Sequence, residues 1–282
     1  MTTVEASRVV NVATVPHRSP FRYPGGKTWL VPVVRQWMAS FTRRVNFVEP
    51  FAGGAIVGLS VVFEELADNL TLVELDKNVA AVWQVMLNGK AHELAASIRA
   101  FEMNEAAVRQ LLARAPASQF DRAFATLIRN RAQRGGIMAP GASLMKKGEN
   151  GRGVASRWYP ETLSRRIDDI AGRQHQITFI HDDGIGVMRQ ITKQTNNVYF
   201  IDPPYTVAGR RLYVHSEIDH EELFEVTARL SGEFLMTYDD TEPVRSLARR
   251  FRFDTKTVPM KNTHHTVMNE LLIGRDLGWL HA

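Results

Sequence analysis

Asp202-Pro203-Pro204-Tyr205 closes an apolar run, NVYFI at 197–201, and these four residues can act together on one kind of substrate. Two prolines fix the backbone and hold their carbonyls in set directions. The exocyclic amine of adenine is a poor nucleophile, because its lone pair is delocalised into the ring. The Asp202 carboxylate and the Pro203 carbonyl can both accept from its N–H bonds, which favours a pyramidal nitrogen with a localised lone pair. Tyr205 offers a ring face to a flat base extruded from a duplex. In-line displacement at an electrophilic methyl carbon then depends on placement, with no metal and no covalent intermediate. The same residues also suit a plain strand-ending turn, with Asp202 capping and Tyr205 packing.

Four other stretches carry candidates. EPFAGGA at 49–55 contributes Glu49, Pro50, Phe51 and Gly53, and its glycines allow a ligand close to the backbone. Glu74 ends the next apolar stretch, 74 − 49 = 25 positions after Glu49, where an acid can accept from ribose hydroxyls. Asp76 competes with it for that role. Tyr23-Pro24-Gly25-Gly26-Lys27 is a turn-rich loop with a single cation. Asp183, after ITFIHD, can accept from an adenine amino group or cap a helix.

These residues need elements to place them. The pattern from 45 predicts a strand over Val45–Val48, a tight loop over Pro50–Gly54, a helix over Ala55–Glu65 and a second strand in LTLVELD. An amphipathic helix is expected near Thr28–Ser40. This β–loop–α–β–acid order opens a nucleotide-binding α/β sheet. Apolar residues at three-to-four spacing predict helices from about Asn78 to Arg131. Strand and helix then alternate from QITFIHDD to the end, through NVYFIDPPY, a helix over His220–Leu230, a strand over Glu233–Tyr238, another helix and a final strand pair. The expected fold is therefore α/β, a Rossmann-like sheet with a mainly helical insertion. The expected boundaries are 1–87 and 177–282 for the catalytic part and 88–176 for the insertion.

Composition removes several chemistries. The chain has 282 residues, 44% hydrophobic and 23% charged, as a folded protein should. It has no cysteine, which excludes disulfides, Cys-ligated zinc and any Cys nucleophile, including the one cytosine-C5 methylation requires. No apolar run is long enough to cross a bilayer and the N-terminus has no signal-peptide pattern, so a cytoplasmic location is expected. No metal is expected.

In combination and order, FRYPGGK, EPFAGGA, ELD, IHDD and YFIDPPY resemble the Dam-type (α-group) DNA adenine-N6 methyltransferases. RRLYVHSEIDHEELF, GEFLMTYDD and NELLI extend the resemblance over roughly Ser19 to Ile273. It implies a site-specific enzyme that binds S-adenosylmethionine (SAM), flips an adenine from double-stranded DNA and methylates it. It implies that Tyr23, Gly26 and Lys27 lie near the donor and the target-base pocket. Glu49, Pro50, Phe51 and Gly53 would line the methionine part, Glu74 the ribose and Asp183 the cofactor adenine. Asp202, Pro203, Pro204 and Tyr205 would hold the target base, with Asp202 also beside the donor. Glu74 stands where Asp is more usual, which lengthens the arm. Cytosine-N4 methylation uses similar acceptors, and a silent SAM- or DNA-binding module is the reading from another class. The recognition sequence, a partner nuclease in a restriction–modification pair, and the choice between a homodimer and successive monomer events stay open.

The net charge is +5, which suits a polyanionic partner. Between Arg134 and Arg157 the chain is rich in Gly and basic residues and poor in large apolar ones, so a long loop or hairpin is expected. Arg129, Arg131, Arg134, Lys146, Lys147, Arg152 and Arg157 are the candidate DNA contacts. Trp158 and Tyr159 suit either base stacking or the core.

Overall fold

A computed structural model describes residues 14–22, 26–138, 142–148, 151–204, 218–261 and 267–281. Tyr23 and Tyr205, both expected at the site, lie outside the described residues.

Seven strands form one sheet: β1 (Asn46–Glu49), β2 (Asn69–Val73), β3 (Ile177–Ile180), β4 (Asn197–Ile201), β5 (Glu233–Asp239), β6 (Asp254–Lys261) and β7 (Val267–Gly274). Their order is β3-β2-β1-β4-β5-β7-β6. β1 to β5 run parallel, while β7 is antiparallel to both β5 and β6. The helices are α1 (Val31–Ala39), α2 (Ile56–Phe63), α3 (Lys77–Leu87), α4 (Ala91–Ala100), α5 (Glu105–Leu112), α6 (Gln119–Ala132), α7 (Pro160–Gly172), α8 (Gly184–Gln190), α9 (His220–Ala228) and α10 (Glu242–Arg250). This is the Rossmann-like α/β class that the alternation predicts.

Period-two alternation along the strands divides the core into two layers. Phe47, Val198, Phe200 and Leu235 point into one cluster with α1 to α7. Val48, Tyr199, Ile201, Phe234 and Met236 point into the other, with α8 to α10. All of β4 is buried, because both its faces are covered. Residues 88–176 do not build a core of their own. Leu127 and Ile128 of α6, and Leu163, Ile167 and Ile170 of α7, join the same cluster as Trp83 of α3 and Phe47 of β1. The helical segment is thus fused to one face of the sheet.

Three details differ from the sequence reading. The helix expected from Thr28 starts at Val31, after a 3-10 turn at Lys27–Leu30. Pro32 lies in the first turn of α1 and has no N–H to bond back to that segment. β2 ends at Val73, so Glu74 stands just beyond the strand. The basic stretch carries local structure: an antiparallel bridge joins Gln133 to Leu144, and a 3-10 turn spans Gly153–Arg157. No helix among the described residues is long and apolar enough to cross a membrane.

Candidate active site

The strand order reverses between β1 and β4, and an open α/β sheet binds ligands at the carboxyl ends of the strands at such a switch point. Glu49 is the last residue of β1 and Asp202 the first after β4. A cavity of about 390 Å³ opens there, within the size range of small-ligand sites. Gly26, Lys27, Glu49, Pro50, Phe51, Gly53, Glu74, Asp183, Asp202, Pro203 and Pro204 all line it. The structure therefore brings together every described residue of the expected catalytic and cofactor sets. His17, Phe21, Leu75 and Asp219 line it too, and none of them was singled out from sequence.

The glycine loop is held from both sides. Gly53 N donates to Glu74 Oε2 at 2.9 Å, and Trp83 Nε1 donates to Gly53 O at 3.0 Å. Gly53 has φ 47°, a left-handed conformation that glycine adopts at little cost. Trp83 is fully buried in α3, and its role was invisible in sequence because a Trp at helical spacing reads as core. Gly58 has a different task. A Cβ there would lie 2.6 Å from Leu70 Cδ1 and 3.1 Å from the Glu49 carboxylate, so only glycine lets Glu49 approach the α2 backbone.

Glu49 is buried, and its Oε1 accepts from Gly58 N at 2.9 Å. Its Oε2 is buried with no hydrogen-bond partner among the described residues. Burial pushes the carboxyl up to about 8, against the Gly58 amide and with help from the charge of Asp202. A buried carboxylate oxygen facing a cavity with no donor is a place for a cationic group.

Glu74 accepts from Gly53 N on one oxygen and from Asp76 N, at 2.8 Å, on the other. Desolvation raises it to about 7 despite those amides. Asp76, the competing candidate, is buried and accepts from Asn78 N at 2.7 Å as the N-cap of α3. Glu74→Ala should therefore weaken binding of the SAM that the sequence resemblance implies by on the order of 10- to 100-fold, through the removal of charge-assisted hydrogen bonds. Asp76→Ala should act mainly on the helix, costing about 1 kcal/mol of stability. Calorimetric titration and thermal melts of both variants separate the two effects, and unchanged affinity in Glu74→Ala would reverse the assignment. Asp183 caps α8, accepting from Gly186 N at 2.7 Å with Oδ2, and reaches the cavity with the rest of its side chain.

Lys27, which also lines the cavity, is buried between two acids. Its Nζ lies 2.9 Å from Asp202 Oδ1 and 3.1 Å from Glu270 Oε1. Thr237 Oγ1 donates to the same Asp202 oxygen at 2.8 Å. The Asp202 side chain keeps a quarter of its surface exposed, toward the cavity. Glu270, in β7, is 2% exposed, and burial raises it to about 7 although the Lys27 ammonium pulls it down. Sequence reasoning missed Glu270. Its signal was there: one acid inside the otherwise apolar run NELLI needs a buried partner.

The basic set divides. Arg134, Lys146, Lys147 and Arg152 are exposed, and Arg129 and Arg157 half-buried. Arg131 is a correction. It is 6% exposed, its guanidinium donates to Pro20 O at 2.6 Å, and burial lowers it to about 9. It faces inward on α6 because it shares a face with Leu127 and Ile128 of the preceding turn, which pack on the core, so it is not presented to DNA. Asn130 beside it is fully buried and ties Arg22 N, Arg22 O and Gly136 O together. Together they clamp the segment before Lys27 onto the helical insertion. Trp158 is buried edge-on against Phe101, while Tyr159 is half exposed. Among the described residues no group of His, Asp or Glu is arranged to hold a metal ion.

No protein-family model matches the chain, and no curated protein matches it. Among solved structures it is similar to an rRNA methyltransferase from Streptomyces viridochromogenes, at 12% identity and TM-score 0.39, covering 90% of this chain and 86% of that one. It is similar to a SAM-dependent methyltransferase from Agrobacterium tumefaciens, at 9% identity and TM-score 0.38, covering 86% and 61%. It is also similar to spermidine synthase from Thermotoga maritima, at 11% identity and TM-score 0.37, covering 100% and 64%.

Proposed function

We propose that this chain is a SAM-dependent methyltransferase that transfers a methyl group to the N6 amine of an adenine flipped out of duplex DNA. One observation carries the reading. The Asp202 carboxylate, fixed by Lys27 and Thr237, opens onto the same cavity that the Glu49 carboxylate and the Gly53 loop line. An amine-binding acceptor and a cation-binding acid thus face one space.

The residues present fit SAM. The unpartnered Oε2 of Glu49 suits the ammonium of its methionine part. Glu74 suits the ribose hydroxyls, and Leu75, 44% exposed at the rim, offers apolar cover to a flat ring. When bound, the donor supplies an electrophilic methyl on a sulfonium, whose S–CH3 bond breaks with the electron pair left on sulfur as the N–CH3 bond forms. Asp202 and the Pro203 carbonyl accept from the target amine and localise its lone pair. Buried Lys27 holds Asp202 in place. Tyr205 would stack on the base.

Residues 88–176 are the proposed DNA-facing part, with 1–87 and 177–282 catalytic. Exposed Arg134, Lys146, Lys147 and Arg152 support backbone contact. Lys146→Ala with Lys147→Ala should weaken binding to all duplexes alike. It should also reduce the slope of log affinity against log salt by roughly 0.9 for each phosphate the two lysines no longer neutralise. Affinity at several salt concentrations on cognate and scrambled duplexes measures this, and an unchanged slope with wild-type affinity returns the segment to solvated surface.

The deciding experiment expresses the protein in a host free of DNA methylation and sequences the DNA by a method that reports modified bases in context. N6-methyladenine at a fixed sequence is the expected result. N4-methylcytosine would change the base, and unmodified DNA with methylated RNA would change the polymer.

A further inference from the structure

A nitrogen that accepts a methyl group becomes cationic and must then lose one proton, and the site has to supply somewhere for that proton to go. The Asp202 carboxyl is the first acceptor by position. It is not isolated. A continuous line runs from Asp202 Oδ1 to Lys27 Nζ at 2.9 Å and on to Glu270 Oε1 at 3.1 Å, away from the cavity and into the sheet.

Charge balance makes Glu270 unusual. Asp202 alone would neutralise Lys27. A second carboxylate on the same ammonium, 2% exposed, is an excess buried charge, and the three residues that follow it, Leu271, Leu272 and Ile273, are apolar and fully buried. An uncompensated buried acid costs stability, so a purely structural role would be served as well by an apolar side chain. Neither of its oxygens has a hydrogen-bond partner among the described residues, Oε1 meeting the Lys27 ammonium as a close ion pair, and Glu270 does not line the cavity.

We propose that Glu270 is the terminal acceptor of the proton lost by the methylated amine, reached from Asp202 through the ammonium of Lys27. This rests on the amine-methylation reading above. The proton leaves the methylated nitrogen for the Asp202 carboxyl. Lys27 passes one of its own protons to Glu270 Oε1 and is reprotonated from Asp202. The net change is a neutral methylamine and a protonated Glu270, with Asp202 again a carboxylate and Lys27 again an ammonium. Glu270 releases the proton to solvent once the product has left. Burial sets Glu270 at about 7, which lets it take and return a proton near neutrality. The charges bearing on it are Lys27, which lowers it, and Asp202, which raises it. In the sheet its register partners are Asp239 on β5 and Val258 on β6, with Lys256 two residues along from Val258.

Two measurements test this. Carbon-13 NMR of glutamate carboxyls in the wild-type protein should give Glu270 a midpoint near 7. A midpoint in the ordinary carboxylate range would overturn the proposal without any variant. Single-turnover transfer by the wild type should fall about tenfold per pH unit below that midpoint. Glu270→Gln should lower the rate by on the order of 10²-fold and flatten this limb, while Glu270→Asp should keep a limb. A Glu270→Gln protein that keeps the wild-type rate or the wild-type limb would also overturn it. If Glu270→Gln does not fold, the wild-type titration and the Glu270→Asp profile decide. A wild type that methylates no nucleic acid overturns the functional reading itself, whereas an active wild type with an ordinary Glu270 overturns only this role.

Discussion

Asp202→Ala is expected to lower methyl transfer by about 10³-fold or more while leaving donor affinity within a few-fold. The loss is large because Asp202 is the proposed acceptor for the reacting amine, and removing one preorganised group of this kind typically costs about 10²–10³ in rate. Here a second loss adds to it. Lys27 would lose its 2.9 Å contact with Asp202, and with it this hold on the ammonium at the cavity edge. Donor affinity is spared for an electrostatic reason. The charge of Asp202 contributes to holding the Glu49 carboxyl up near 8. Without it Glu49 ionises more readily, which favours a cationic ligand. Asp202→Asn keeps the volume and should behave alike. Calorimetric titration with SAM beside a tritium-transfer assay measures both quantities. Wild-type transfer in Asp202→Ala would remove this residue from the chemistry, and a loss of donor affinity matching the loss of rate would move it to the donor site.

Much of this site was legible before the fold was known. Glu49, Gly53, Glu74, Asp183 and Asp202 stand at or just beyond strand ends, where alternation of strands and helices says a ligand will bind, and they line one cavity. β4 was legible because five consecutive buried residues followed by two prolines suit little else. What escaped has a common cause. Trp83, Thr237 and Glu270 act by reaching across the sequence, 30, 35 and 243 positions from Gly53, Asp202 and Lys27. Period and spacing describe only local neighbours, so a partner on another strand has no signature there. Arg131 failed for the complementary reason. Charge type alone suggested the surface, but its place in the helical period put it inward, where a backbone carbonyl receives it. The choice between Glu74 and Asp76 was undecidable from spacing; both line the cavity and both accept from backbone amides, Asp76 as the cap of α3.

Raising the pH from 6 to 8 is expected to tighten donor binding by on the order of 10-fold or more, with about one proton released on binding near pH 7. Glu49 is the cause. In the ligand-free protein burial holds it at about 8, so at pH 7 it is mostly protonated. An ammonium beside its unpartnered Oε2 stabilises the carboxylate, which must lose its proton to form the pair. Log affinity should then rise by up to about one per pH unit below 8. Above about 8 the curve should flatten and fall, because an α-amino group of the donor begins to lose its own charge there. Glu74, held at about 7, adds a smaller component in the same direction as it ionises toward the ribose hydroxyls. The same carboxyls set the sign for folding. Their folded values lie above the ordinary carboxylate value of 4.5, so the stability they contribute is fully present below that value and is lost as pH rises through 7 to 8. The ligand-free protein should accordingly melt at a lower temperature at pH 8.5 than at pH 6, and SAM should recover more of that loss at the higher pH. Calorimetry in buffers of different ionisation enthalpy counts the proton, and melts with and without SAM give the linkage. Glu49→Gln should flatten most of the affinity curve and suppress most of the proton release. A Glu49→Gln protein that still releases a full proton would move the cation-binding acid to Glu74.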